Sequence, residues 1–109
     1  MINVYLDDYR PCPRGFALAK NAEECILLLE HESIGILSLD YDLGWGQPTG
    51  LEVVRYLIAS GRYPQAVYLH TSSPAGRMQM YHLLSQYAPM DVRLYNGPMP
   101  DKGLGEEQK

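Results

Sequence analysis

The stretch IGILSLDYDLGWGQPTG, residues 34–50, decides the fold. An apolar run ends in Asp40 and Asp42 and then enters a turn rich in glycine. In a parallel α/β sheet, this pattern is typical of a buried strand that delivers carboxylates to the carboxyl edge, where ligands bind. The N-terminus repeats the pattern, because a short apolar run leads into Asp7 and Asp8. We therefore expect the two acidic strand ends to meet at one crevice.

The rest of the chain alternates between strand and helix patterns. Strands are predicted at residues 2–6, 16–20, 34–40, 66–70 and 92–95, and the three helices are predicted to begin after Asn21, Thr49 and Ser73. Such alternation predicts parallel strands joined by right-handed crossovers. The flavodoxin-like strand order 2-1-3-4-5 would place the first and third strands side by side. Two prolines between Asp8 and Phe16 leave no room for a regular first crossover helix. The prediction is a single α/β domain with a five-stranded parallel sheet flanked by helices.

The totals limit the possible functions. The 109 residues suit one domain, predicted at 1–100, followed by a polar tail at 101–109. A net charge of −4 argues against a large nucleic-acid footprint, although a small nucleotide or an RNA end stays possible. No apolar stretch approaches the ~20 residues of a membrane span, so no membrane partner is expected and a cytoplasmic location is the expectation.

The acidic crevice predicts a metal site. Carboxylates at one strand edge repel each other by about 4 kcal/mol per pair at short range, and a bound cation relieves the repulsion. Oxygen ligands suit Mg²⁺ or Mn²⁺. We expect Asp8 and Asp40 to hold the ion with support from Asp7. Asp42 can join them if the turn has begun at that position. The alternative is a set of solvated carboxylates that cap turns.

The end of the fourth strand supplies candidates for proton transfer and phosphate binding. His70 can move a proton near pH 7, and Thr71 and Ser72 follow it with hydroxyl donors. The alternative for His70 is a half-buried ring bonded to the neighbouring backbone.

Residues 72–76 form the start of the third helix. The first N–H groups of a helix have no partner within it, so we expect an anion-binding site here, called the anion seat below. Gly76 belongs to this turn, and Arg77 can neutralise charge there or remain solvated. Trp45 lies in the glycine-rich loop and can stack on a base or anchor the loop to the body of the domain.

The motifs resemble a known family. Residues 5–8 read YLDD, residues 37–44 read LSLDYDLG, residues 49–50 read TG, and residues 69–76 read LHTSSPAG. This set is similar to receiver domains of response regulators and, more closely, to the receiver-like family described as cyclic-phosphate-processing domains. The resemblance covers most of residues 1–88 and implies a phosphoesterase that acts on cyclic phosphates.

Two departures distinguish the chain from an ordinary receiver. The helix between the first two strands has no room, and residues 95–98 read YNGP where a receiver carries a lysine. The favoured hypothesis is an enzyme: a metal-assisted phosphoesterase for cyclic or terminal phosphates of a nucleotide or RNA end. One alternative is a receiver or pseudo-receiver module that is phosphorylated at Asp40 or binds a partner through it. The other is a nucleotide-binding protein without turnover. The sequence names no protein partner.

Overall fold

The computed structural model describes residues 1–100 of the chain. Its elements are β1 (Ile2–Leu6), β2 (Phe16–Ala19), α1 (Ala22–His31), β3 (Ile34–Leu39), α2 (Leu51–Ser60), β4 (Ala66–Leu69), α3 (Pro74–Tyr87) and β5 (Arg93–Tyr95). The five strands form one parallel sheet in the order β2-β1-β3-β4-β5. This is the predicted receiver-like α/β architecture. The tail predicted at 101–109 lies outside the described residues.

The register of the central strands explains how the strand ends meet. Leu6 of β1 is aligned with Leu39 of β3, and Leu39 is aligned with Leu69 of β4. The residue that follows each leucine therefore starts from the same edge of the sheet. Those residues are Asp7, Asp40 and His70.

The core lies between the sheet and the helices. Alternate residues of the central strands are fully buried and face the helices: Val4, Leu6, Leu37, Leu39, Val67 and Leu69. The helices contribute a matching set of buried side chains: Cys25, Leu29, Val53, Val54, Leu57, Met80 and Leu84. Because side chains alternate across a strand, Tyr5, Ser38 and Tyr68 project from the opposite face of the sheet.

All three helices cover the same face of the sheet. The crossovers through α1, α2 and α3 all run in the same direction along the strand order, from β2 towards β5. Right-handed crossovers that run in the same direction place their helices on the same face of the sheet. In agreement, α2 contacts both α1 and α3. Only the step from β1 to β2 runs the other way, and residues 7–15 make it without a helix. Within residues 1–100, the second face of the sheet therefore carries no helix. A search of the helices in the same residues finds none with the length and hydropathy of a membrane span.

The helix starts agree with the sequence at α1 and differ at α2. Asn21 caps α1, since its Oδ1 accepts a bond from the Glu24 amide at 2.9 Å. Thr49 and Glu52 have the sequence spacing of a capping box, which predicts Thr49 as the cap of α2. This prediction is wrong, because Gly50 occupies the cap position. Glu52 instead pairs with Arg55 at 2.8 Å. Glycine is needed there because a Cβ on Gly50 would overlap the main-chain carbonyl that follows β3.

The apolar face of α3 is narrower than its sequence predicts. Met80 and Leu84 are buried and Leu83 is half-buried, as the spacing indicates. The sequence spacing also predicts Tyr87 on this face, but 54% of its surface is exposed. Tyr87 is the last residue of the helix.

Candidate functional site

Two aspartates form the floor of the site. Asp7 and Asp40 follow adjacent parallel strands, and the Asp40 amide donates to the Leu6 carbonyl at 3.1 Å. Both residues are buried, with 1% and 3% of their surface exposed. Two buried carboxylates at one edge require a compensating cation or a proton. The structure thus brings together the acidic strand ends that the sequence placed at one crevice.

Arg10 supplies a positive charge between the two aspartates. Its Nη1 atom lies 2.7 Å from Oδ2 of Asp7 and 3.1 Å from Oδ2 of Asp40. The guanidinium carbon also lies 5.2 Å from the centre of the Tyr9 ring. The hydrogen bond to Asp7 raises the pKa of Arg10, so the guanidinium stays charged. Because their loop leaves β1 at this edge, Tyr9, Arg10 and Arg14 are expected to line the crevice, and the structure places Tyr9 and Arg10 in the lining of the cleft beside the two aspartates.

Asp7 is the most heavily bonded group in the site. Its Oδ1 accepts bonds from the Tyr9 and Arg10 amides, each at 2.9 Å. Its Oδ2 accepts from the Arg10 guanidinium and contacts the His70 ring. Burial raises the pKa of Asp7, but these hydrogen bonds outweigh burial and hold the pKa below its usual value. Asp7 is therefore a charged, fully used acceptor, which suits a supporting role.

His70 lies at the centre of a chain of hydrogen bonds. Its Nε2 is 2.9 Å from Oδ2 of Asp7, and its Nδ1 is 2.7 Å from Oγ of Ser38. The ring also stacks on Tyr5, with centres 4.2 Å apart and planes 3° from parallel. The alternative of a ring bonded to the neighbouring backbone does not describe this arrangement, since both partners are side chains distant in sequence.

These contacts define the protonation of His70. Burial lowers its pKa more than Asp7 raises it, so the ring is neutral at pH 7. A neutral imidazole has one N–H, and a carboxylate only accepts hydrogen bonds. The proton is therefore assigned to Nε2, facing Asp7, and Nδ1 accepts from the Ser38 hydroxyl. Both ring nitrogens are engaged in this arrangement.

The same group of residues could bind a metal ion. One ligand atom each from Asp7, Asp40 and His70 lies within 4.8 Å of the others. Arg10 already contacts both carboxylates, and His70 Nε2 is committed to Asp7. A cation at the centre of this group would have to replace the guanidinium. Among residues 1–100, Asp7, Asp40 and His70 are the side chains close enough together to share one metal ion. Asp8 and Asp42 are not part of this group.

Asp8 and Asp42 instead line a cleft of about 180 Å³ beside the buried pair. Asp40 and Arg10 form part of the same cleft, and both Asp8 and Asp42 are exposed to solvent. Asp42 reaches it because β3 has ended and the chain is turning, with the Gly44 amide donating to its Oδ1 at 3.1 Å. The cleft therefore offers three carboxylates, all with oxygen donors suited to Mg²⁺.

The predicted anion seat is occupied largely by capping bonds. Ser73 caps α3, because its Oγ accepts from the Gly76 amide at 3.1 Å. Thr71 Oγ1 accepts from the Ser73 amide at the same distance. Ser72 is exposed and lines the acidic cleft. Ser72 is therefore the hydroxyl residue of this turn that can reach a ligand in the cleft.

Three predicted binding residues lie outside the cleft lining. Gly76 is buried against the Tyr41 ring, which a Cβ would overlap, so packing explains this glycine. Arg77 donates to the Asn96 carbonyl at 3.4 Å, beyond β5. Trp45 is fully exposed, so the alternative in which it anchors the loop is wrong. Its ring remains free to stack.

Sequence reasoning missed Ser38 as a member of the site. Ser38 is fully buried one residue before the end of β3, and its hydroxyl contacts His70. A signal was present, since Ser38 is the one polar residue in the run IGILSL. A buried hydroxyl needs a hydrogen-bonding partner, which points to a partner on an adjacent strand.

Comparison with known proteins agrees with this geometry. A family model described as "Cyclic-phosphate processing Receiver domain" matches residues 2–86, which include β1 to β4 and nearly all of α3. No curated protein matches the chain. The match confirms the resemblance drawn from the sequence motifs and covers every residue of the acidic site. The chain therefore belongs to the cyclic-phosphate processing receiver domain family.

Proposed function

We propose that the chain is a metal-assisted phosphoesterase that opens cyclic phosphates of a nucleotide or an RNA end. The proposal rests on one observation, which is that Asp40 belongs both to the buried acidic group and to the lining of the cleft. Its side chain is held by Arg10 in the buried group, and the residue also lines the cleft with Asp8 and Asp42. Family membership supplies the substrate class. The remaining cleft residues provide donors for a phosphate.

The metal is proposed to bind on the cleft side of Asp40. Asp8, Asp40 and Asp42 would hold Mg²⁺ or Mn²⁺, because the cleft offers oxygen donors while the buried side of Asp40 is closed by Arg10. When bound, such an ion polarises the phosphoryl oxygen and lowers the pKa of a coordinated water.

The chain's own groups then position the substrate. Ser72 can donate its hydroxyl to a non-bridging phosphate oxygen, and Arg10 lies at the same cleft with a fixed positive charge. In ring opening, water adds to phosphorus, one ring ester bond breaks, and the departing oxygen takes a proton. Asp7 holds Arg10 in place, and His70 in turn contacts Asp7. Direct proton transfer by His70 requires the ring to release Ser38 or Asp7.

A screen of substrates and metals tests the proposal. The purified protein would be incubated with 2′,3′-cyclic mononucleotides, cyclic dinucleotides and RNA ending in a 2′,3′-cyclic phosphate, with Mg²⁺, Mn²⁺ or chelator. We expect metal-dependent ring opening, followed by phosphorus NMR. Asp40→Asn should lose turnover and metal affinity together. Asp91→Asn is a matched control, because Asp91 is exposed and precedes β5 at the opposite edge of the sheet.

Turnover by Asp40→Asn at the wild-type rate would contradict the mechanism. A stable acyl phosphate on Asp40 after treatment with a small phosphodonor, detected by mass spectrometry, would favour signalling instead.

Binding without turnover is the second candidate, and the engagement of both His70 nitrogens favours it. A ring with no free nitrogen leaves the cleft without an available imidazole base. Calorimetric binding of a cyclic nucleotide that is recovered unchanged with every metal would support this function over hydrolysis.

A further inference from the structure

A second cavity lies on the helix-free face of the sheet and has His70 in its lining. Its volume is about 300 Å³. Tyr5, Ser38 and His70 form its floor, and residues 11–13 and 98–99 form its walls. Small-molecule pockets begin at about 300 Å³, so the cavity has room for one ring system.

The lining is suited to a neutral, flat group. The residues around the cavity include no aspartate, glutamate, lysine or arginine, and most are aromatic or apolar. Among the polar side chains of the floor, Ser38 and His70 bond to each other, and Tyr5 stacks on the His70 ring. A phosphate or a carboxylate would find no lysine or arginine here. An aromatic ring could pack against the stacked pair of Tyr5 and His70 and against the prolines of the lining.

One loop connects this cavity to the acidic cleft. Residues 8–10 line the cleft, and residues 11–13 line the cavity immediately after them in the chain. A ligand that holds a phosphate in the cleft therefore has the cavity as the next concave surface along the same loop. This shared loop, residues 8–13, is the reason to consider one ligand with two chemically different ends.

We propose that the cavity on the helix-free face binds the base of a nucleoside cyclic phosphate whose phosphate occupies the acidic cleft. This inference rests on the proposed function and narrows its substrate to compounds that carry a base. Because Ser38 and both nitrogens of His70 already have hydrogen-bonding partners, the base is held by stacking and shape. Purines and pyrimidines should therefore bind with affinities that differ by only a few-fold.

Alkylation of Cys12 reports on the cavity without requiring turnover. Cys12 is partly exposed and lines the cavity, whereas Cys25 is buried in the core, where burial raises its pKa to about 12. The intact protein would be treated with N-ethylmaleimide at mildly alkaline pH, and the modification would be followed by mass spectrometry. Cys25 should stay unmodified and serves as the internal control for folding.

The probes are 2′,3′-cyclic AMP, 2′,3′-cyclic UMP and glycerol 1,2-cyclic phosphate, which has no base. At a nucleotide concentration about ten times Kd, alkylation should slow about tenfold, because the free fraction is about a tenth. Glycerol cyclic phosphate should not slow it. Equal protection by all three compounds, or protection by none, would overturn the proposal.

Turnover measured in parallel separates this inference from the proposed function. Nucleotide turnover without Cys12 protection overturns the base site alone. Protection without turnover supports the base site and contradicts the phosphoesterase. In an active protein, Cys12→Phe should fill the cavity and lower the preference for 2′,3′-cyclic AMP over glycerol cyclic phosphate by about tenfold, the value of one stacked base. Arg14→Phe, at an exposed position of the same loop outside the cavity lining, is the matched control and should retain the preference.

Discussion

The Nε2 atom of His70 lies 2.9 Å from Oδ2 of Asp7, although the two residues are 63 positions apart in the chain. The contact joins the end of β4 to the end of β1 across β3. It places a neutral imidazole against a carboxylate that also holds Arg10. The stability of the site should therefore depend on pH.

Acid should weaken the fold in two steps. Burial lowers the pKa of His70 below its usual 6.5, so the unfolded chain takes up that proton first. The contribution of His70 is complete above pH 6.5 and declines as the pH falls from 6.5 toward the folded-state pKa. Asp7, whose pKa lies below its usual 3.8, adds a second loss below pH 3.8. Urea unfolding across this pH range measures both steps.

The variant His70→Gln should remove the first step and keep the second. His31→Gln and His82→Gln are matched controls, because both residues are exposed on helices, and they should behave like the wild type. If the free energy of unfolding of His70→Gln fell with pH below 6.5 as steeply as that of the wild type, the assignment of a buried neutral ring would be refuted.

Removal of Arg10 should convert the buried group into a metal site. Arg10→Met leaves Asp7 and Asp40 without their shared cation, and the free energy of unfolding should fall by about 2 kcal/mol. This is less than the full value for a buried pair, because the Arg10 side chain is 25% exposed. Mn²⁺ should then raise the Tm of the variant more than that of the wild type. Thermal unfolding with and without Mn²⁺ measures both effects.

Arg14→Met is the control for this experiment, since Arg14 is an exposed residue of the same loop. It should change neither the Tm nor the response to Mn²⁺. If Arg10→Met matched this control in both measurements, the guanidinium would not be the cation that balances the aspartates.

Gly50 should tolerate no side chain. A Cβ at this position would overlap the main-chain carbonyl of Asp40, and that carbonyl cannot rotate away without moving the strand end. Gly50→Ala should lower the free energy of unfolding by about 3 kcal/mol, at the upper end for overpacking. It should also weaken Mg²⁺ binding, measured by calorimetry. Gly97→Ala, where a Cβ would meet nothing within 4 Å, should be close to neutral.

The hydrogen bonds of His70 predict one tautomer. Nitrogen NMR should show the proton on Nε2 at neutral pH, because Asp7 accepts from that atom and Ser38 donates to Nδ1. Ser38→Ala should cost about 1 kcal/mol through the lost bond. Ser85→Ala, at an exposed position of α3, should cost less. A proton on Nδ1 in the wild type would contradict the hydrogen-bond assignment.

Local patterns in the sequence were sufficient for the sheet. The alternation of strand and helix signals predicts parallel strands, and the carboxyl ends of parallel strands share one edge. The approach of Asp7 to Asp40 follows from that argument without coordinates. The capping box predicted at Thr49 was wrong because α2 begins one residue later, at Gly50. Backbone packing against Asp40 requires glycine at that position, and the sequence motif does not show this contact.

Side-chain contacts across the site depend on the path of an irregular loop. Arg10 lies between the aspartates because Asp7 Oδ1 accepts the Tyr9 and Arg10 amides and turns the chain back over the strand end. No periodicity marks such a turn. For the same reason, spacing did not separate Asp7, which is buried and saturated with bonds, from exposed Asp8.

The order of elements and the acidic strand ends were thus readable from the chain, because they depend on periodicity and on the chirality of crossovers. The pairing of Ser38 with His70, the guanidinium between two carboxylates and the cavity on the helix-free face were not readable. Each depends on distances between side chains from three or more segments, and those distances exist only once the sheet has aligned Leu6, Leu39 and Leu69 in one row.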